Sequence, residues 1–251
     1  MTTDTQEPGL DLVKTYDAQG VVDYIVCPAL SFINMHSESV PARQQVKTRL
    51  PKAFNEISIT MLGGTRPKEP KVLVDHIIEK VFDDIEYNKK PKDMDAIHSM
   101  FMNYINMMAE RELAVDSLSK PVEIAYMGSI IKSQVDCVVK DLTTERKYPA
   151  VVDFSNTRYE NHYNPIVYRC QIIADYMELT HTNTEVMVLS LCSGKTWFYG
   201  KKTYGNLVHV AIEEVVQAMN AELFPVRYGW WCAGCYWRGI CHRMFDVKLG
   251  E

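Results

Sequence analysis

VEIAYMGSIIKSQVDCVVKDLTTERKYPAVVDFSN, residues 122–156, is the stretch on which the fold turns. It contains three runs rich in Val and Ile (VEIAYMGSII, QVDCVVKDL and YPAVVDFSN) separated by turn residues, and each reads as a strand. Two of them carry an aspartate among β-branched neighbours, Asp136 and Asp153. A strand built for burial seldom holds an aspartate without a partner. The polar segment KDLTTERK joins these two runs, so they can be hairpin neighbours whose carboxylates converge on a divalent cation. Glu123, at the head of the preceding run, is placed to join them. The competing reading has both aspartates facing solvent or capping turns.

Outward from this stretch the pattern becomes helical. Residues 93–115 form a Met-rich helix, and residues 71–88 form an amphipathic one with Val72, Ile77, Val81 and Ile85 near helical spacing. Residues 41–70 mix Pro, Gly and charge and read as loops around a short element. Further upstream, Val21 to Met35 is apolar, and the Cys27-Pro28 pair sets a bend in its middle. Residues 1–20 are expected to be a flexible N-terminal segment, leaving 21–245 as one domain. Downstream, residues 165–179 form a helix opened by Pro165. EVMVLSLCS and KTWFYGKKTY form a strand pair, residues 207–223 a helix, and an aromatic, Cys-rich tail follows. The order predicts a single α/β domain with a mixed central sheet flanked by helices.

Composition limits the function classes. Of 251 residues, 47% are hydrophobic and 24% charged, which excludes wholesale disorder. Lys plus Arg is 27 against 32 Asp plus Glu, a net charge of -5, which argues against a basic nucleic-acid coat protein. It leaves room for a DNA enzyme that confines positive charge to one groove. No apolar run approaches the ~18 residues of a membrane span, and MTTDTQEPGLDL lacks the basic and apolar regions of a leader. The expectation is a cytoplasmic protein with no membrane partner.

The tail carries the strongest local motif, Trp230-Trp231-Cys232-Ala233-Gly234-Cys235-Tyr236-Trp237-Arg238-Gly239-Ile240-Cys241. A CxxC pair brings two thiolates to one metal from a single turn, and Cys241 can fold back as a third ligand. Zinc and iron–sulfur sites both ask for four. His242 adjoins Cys241 and converges poorly with it, so Cys27 at its bend is the better fourth. The alternative is that these cysteines are small buried hydrophobes. That reading is preferred for Cys137, Cys170 and Cys192, which lie inside apparent strands or a helix. Ser193-Gly194-Lys195-Thr196 ends like a P-loop, but Leu189 stands where that motif needs Gly, so a strand turn is the better reading.

Taken together, the chain from about residue 20 to 245 resembles the RecB-like branch of the PD-(D/E)XK nucleases that carries an iron–sulfur cluster. That branch includes the CRISPR-associated RecB-like exonucleases and the AddB nuclease domain. The resemblance rests on DYIVCPALSF at the start, the acids on successive strands, a helix with Gln171 and Tyr176, and ELFPVRYGWWCAGCYWRGIC at the end. It implies a PD-(D/E)XK restriction-endonuclease-like fold and a 4Fe–4S cluster on Cys27, Cys232, Cys235 and Cys241, tying the terminal segments together. It also implies Mg²⁺ or Mn²⁺ on Asp136 and Asp153, with Glu123 and His76 completing the shell and Gln171 near the DNA. His98 is a second match for the motif histidine. Two positions depart from the pattern: Ser155 stands where the family has Lys, and Ser133-Gln134-Val135 replaces the Gly-x lead-in to Asp136. Lys132, Lys147 and Arg158 are near enough in sequence to supply the missing charge.

The resemblance implies metal-dependent hydrolysis of DNA at single strands or ends, in a larger complex with a protein partner or alone. The alternative is a catalytically inactive nuclease fold serving as a binding or assembly module. Trp230, Trp231 and Trp237, interleaved with Arg227, Arg238 and Arg243, suit either base stacking or shielding of the cluster.

Overall fold

The computed structural model describes residues 13–36, 42–83, 91–155, 165–180 and 185–227, together with Cys232, Cys235 and Cys241. In chain order these hold β1 (Thr15–Asp17), α1 (Ala18–Val26), α2 (Pro28–His36), α3 (Ala42–Thr60), α4 (Pro70–Phe82) and α5 (Pro91–Glu110). Then come β2 (Leu113–Tyr126), β3 (Ser129–Asp141), β4 (Lys147–Asp153), α6 (Pro165–Leu179), β5 (Val186–Ser190), β6 (Lys195–Tyr199) and α7 (Lys201–Asn220). Asp17 caps α1 by accepting the Gln19 N–H at 2.7 Å. Cys27 ends that helix in an extended conformation, φ -157 and ψ 113, because the residue before a proline is pushed out of the helical region. Pro28 then opens α2, where its missing N–H costs nothing. The bend expected at Cys27-Pro28 is present.

β3 organises the sheet. β2 runs antiparallel along one side of it from end to end. The other side is shared: β1 pairs parallel with Ile130–Lys132, and β4 pairs antiparallel with Cys137–Lys140. β4 continues parallel to β5, and β5 antiparallel to β6, so the six-stranded sheet is mixed. Helices cover both faces. Ala150 and Val152 of β4 face a core with α3, α4 and α5. Val151 faces a second core with α1, α6 and α7. Covered on both sides, β4 is buried along almost its whole length. No helix among the described residues is long and apolar enough to cross a membrane.

Several expectations shift. The run VEIAYMGSII, expected as one strand, holds a hairpin turn: Met127 and Gly128 sit at φ 47 and 77, the two positive values of a type I′ turn. Residues 41–70 contain the 19-residue helix α3 rather than a short element. Its Leu50, Ala53, Phe54 and Ile57 are buried in the first core at helical spacing, with Pro51 carried inside the helix. β1 lies in the stretch expected to be flexible, where its pairing with β3 makes residues 15–17 part of the sheet. The Met-rich helix stops at Glu110, and residues 113–115 already belong to β2.

Candidate functional site

On its shared side β3 has a gap. β1 reaches Lys132, β4 begins pairing at Cys137, and among the described residues no strand lies on this side of those between. Side chains supply the bonds instead. The Asp136 carboxylate reaches across, and its Oδ2 accepts the backbone N–H of Val152 at 2.7 Å. Its Oδ1 accepts from Arg169 of α6 at 2.7 Å, and the same guanidinium nitrogen donates to the Gln134 carbonyl at 2.8 Å. Asp153 lies one residue beyond on β4, 5% exposed, and its Oδ1 takes the Ser155 N–H at 2.8 Å and the Ser155 hydroxyl at 2.5 Å. Burial pushes the Asp153 carboxyl above the ordinary aspartate range, and the Ser155 hydrogen bonds pull it part of the way back. Cys170, fully buried on α6, has its thiol driven up first by burial and then by both aspartates, with Arg169 opposing. The two acids thus share the α6 side of the sheet, as expected for hairpin neighbours.

The other expected participants are elsewhere. Glu123 is exposed and pairs with Lys132 at 3.6 Å across the β2–β3 ladder. Asp136 is four residues further along β3, about 13 Å at the rise of a strand. His76 is exposed on α4, a helix that packs on α3 and α5. His98 Nε2 lies 3.2 Å from Asp75, so it links α5 to α4. Gln171 is fully buried: its amide donates to Asp175 at 2.6 Å and its carbonyl accepts from Tyr199 at 2.5 Å. Tyr176 packs half-buried against the second core. Lys147 pairs with Asp116 at 2.7 Å, and Arg158 lies outside the described residues. Among the described residues the cation paired with these acids is Arg169, which no local signal in the sequence singles out although it stands two residues before Gln171.

Two carboxylates are the right donors for a hard divalent cation. Both oxygens of Asp136 already accept hydrogen bonds, however, and Ser155 holds Asp153. Among the described residues no three His, Cys, Asp or Glu side chains are gathered closely enough to hold a metal ion.

The cysteines are approached from both ends of the chain. Tyr24 donates its hydroxyl to the Leu223 carbonyl, and Phe224 packs between Tyr24 and Phe32, with ring centroids at 5.6 and 5.3 Å. Arg227 donates to the Ile25 carbonyl at 2.8 Å, two residues before Cys27. The Cys232 thiol lies 3.9 Å from the Arg227 carbonyl, and the Cys235 N–H donates to the Cys232 carbonyl at 3.3 Å. Burial pushes the Cys241 thiol up, and the Cys27, Cys235 and Cys232 thiols, in that order, push it further. Among the described residues, Cys27, Cys232 and Cys235 therefore lie within electrostatic reach of Cys241 without being gathered as a ligand set, and their donor chemistry suits thiophilic iron or zinc. Trp230, Trp231, Trp237, Arg238 and Arg243 lie outside the described residues.

A further polar cluster was not foreseen. Asp175, 5% exposed, accepts from the Tyr126 hydroxyl and the Gln171 amide, and lies 2.8 Å from His209 Nδ1. Glu213 is 3.4 Å from the other ring nitrogen. Burial and then Asp175 hold the Tyr126 phenol far above its usual range.

No family profile and no curated protein matches the chain. Among solved structures it is similar to one named "Crystal structure of SSO0001", with a TM-score of 0.42 and 10% identity, over 92% of this chain and 87% of that one. At that distance the likeness carries no argument about function.

Proposed function

We propose that this chain is a nuclease-fold protein of the RecB-like PD-(D/E)XK kind that acts on DNA at single strands or ends. Its reaction is metal-dependent phosphodiester hydrolysis, with Asp136 and Asp153 as the ligands of Mg²⁺ or Mn²⁺. A 4Fe–4S cluster on Cys27, Cys232, Cys235 and Cys241 joins the two ends of the domain. The observation that carries the reading is the pair of buried aspartates on adjacent antiparallel strands, meeting on the α6 side of a gap in the sheet. Held by Asp136 and Asp153, a divalent cation would supply Lewis-acid stabilisation of charge on the phosphate oxygens and a more acidic water. Around it, the backbone N–H of Val152 fixes the Asp136 carboxylate and Ser155 fixes that of Asp153.

A specific observation favours a second reading, an inactive nuclease fold that binds nucleic acid or a protein partner. Both acids are already engaged by this chain's own donors, and Ser155 offers no charge where the resembled family has Lys.

The deciding experiment is Mn²⁺-dependent cleavage of end-labelled single-stranded DNA by protein purified without oxygen, beside Asp153→Ala. Cleavage that disappears in the variant supports the hydrolase. Binding without cleavage supports the second reading in its nucleic-acid form, and the absence of both overturns the hydrolase and points to a protein partner instead.

A further inference from the structure

At the gap in the sheet, the Gln134 carbonyl has no strand on that side among the described residues, and the Asp136 carboxylate is met by β4 on one oxygen, through the Val152 N–H. One nitrogen of Arg169 answers both, at 2.8 Å and 2.7 Å. The pair is largely withdrawn from water, with side chains 23% and 10% exposed. Its position is fixed from below, because the following residues, Cys170 and Gln171, are fully buried in α6. A guanidinium stays charged at every pH at which the protein folds. It is also shielded from salt by its burial, so it is a permanent counter-charge rather than a surface ion pair.

We propose that Arg169 is the resident cation of the acid pair, neutralising Asp136 in place of a divalent metal, so that Mg²⁺ or Mn²⁺ enters only in competition with the ion pair. The inference rests on the reading of Asp136 and Asp153 as a metal site. Its physical basis is charge. Two carboxylates with one guanidinium carry a single net negative charge, which a divalent cation overshoots. The same carboxylates without Arg169 carry two, which a divalent cation balances. Metal binding to the site as it stands must also break the bond from Arg169 to Asp136 Oδ1, leaving a largely buried guanidinium with the Gln134 carbonyl but without its carboxylate counter-charge.

The test is Mn²⁺ binding to the full chain, followed by the loss of the free-ion electron paramagnetic resonance signal. Wild type is compared with Arg169→Met, which keeps most of the apolar stem, with Arg169→Lys, and with each combined with Asp136→Asn. Wild type is expected to bind weakly, Arg169→Met on the order of tenfold or more tightly, and Arg169→Lys in between because it loses the fixed fork. Asp136→Asn should erase the gain. Should Arg169→Met fail to fold, as judged by circular dichroism, the Lys variant alone still decides the order. Tight wild-type binding that Arg169 variants leave unchanged or weaken overturns the inference while sparing the metal-site reading. No Mn²⁺ binding by any variant overturns both.

Discussion

An aspartate inside a buried strand must find donors, and the two here find them differently. Asp136 takes a ladder N–H that its own strand no longer serves, together with a guanidinium. Asp153 is met, among the described residues, by the main chain and hydroxyl of Ser155, and its carboxyl is raised by burial. A pH dependence follows. The folded state holds the Asp153 proton to higher pH than the unfolded chain does, so this residue's contribution to stability falls as pH rises from about 4 through its raised folded value, and stays low above it. Asp153→Asn keeps an acceptor for Ser155 without the charge. It should therefore raise the urea midpoint at pH 7, with the gain shrinking to nothing as the pH approaches 4. A variant less stable than wild type at pH 7, with no pH-dependent difference, would show that the Ser155 bonds outweigh the burial of the charge.

At the scale of elements, α6 is the hub. Its first half presents Arg169 to the gap in the sheet, while Gln171 and Asp175, one turn apart, point into a buried network with β2, β6 and α7. Tyr126→Phe tests that network. It removes one donor from a carboxylate that is 5% exposed and so leaves Asp175 under-satisfied. The expected loss is about 1–3 kcal/mol in urea unfolding, and an unchanged midpoint would show the network to be slack. The bounds of α6 were legible because Pro165 starts it and the apolar pattern ends at Leu179. The burial of Gln171 was not legible, since a polar side chain in a helix reads as outward-facing unless its partners are known, and one of them, Tyr199, lies on β6. α3 was hidden by Pro51 and by the charge in its first half. The Met127–Gly128 turn was hidden because Met is an unusual occupant of a positive φ.

At the scale of the whole molecule, the chain closes on itself. Residues 223–227 dock on α1 and α2 through Tyr24, Phe32 and Ile25, which brings the tail cysteines beside Cys27. The candidate thiols could be picked out in advance from the CxxC spacing and the Cys-Pro bend, both local signals. Arg169 could not, because its partner is 33 residues away and the pairing depends on where two strands part. The closure also makes the last prediction. If the four thiols of the proposed cluster close on one metal group, the metal-ligand energy is part of the folding energy, and loading must displace the Cys241 proton that burial, and after it the neighbouring thiols, holds in place. Protein purified without oxygen should be brown, with broad visible absorption from thiolate-bound iron, and reconstitution should improve as pH rises toward the thiol range. Cys27→Ala should bleach it and lower the melting temperature on the order of 10 °C, the equivalent of roughly 3 kcal/mol or more for a chain of this size. Colourless protein with one zinc per chain would make the staple a zinc site. Colour and melting that survive Cys27→Ala would mean that the N-terminal bend, however close, is no ligand.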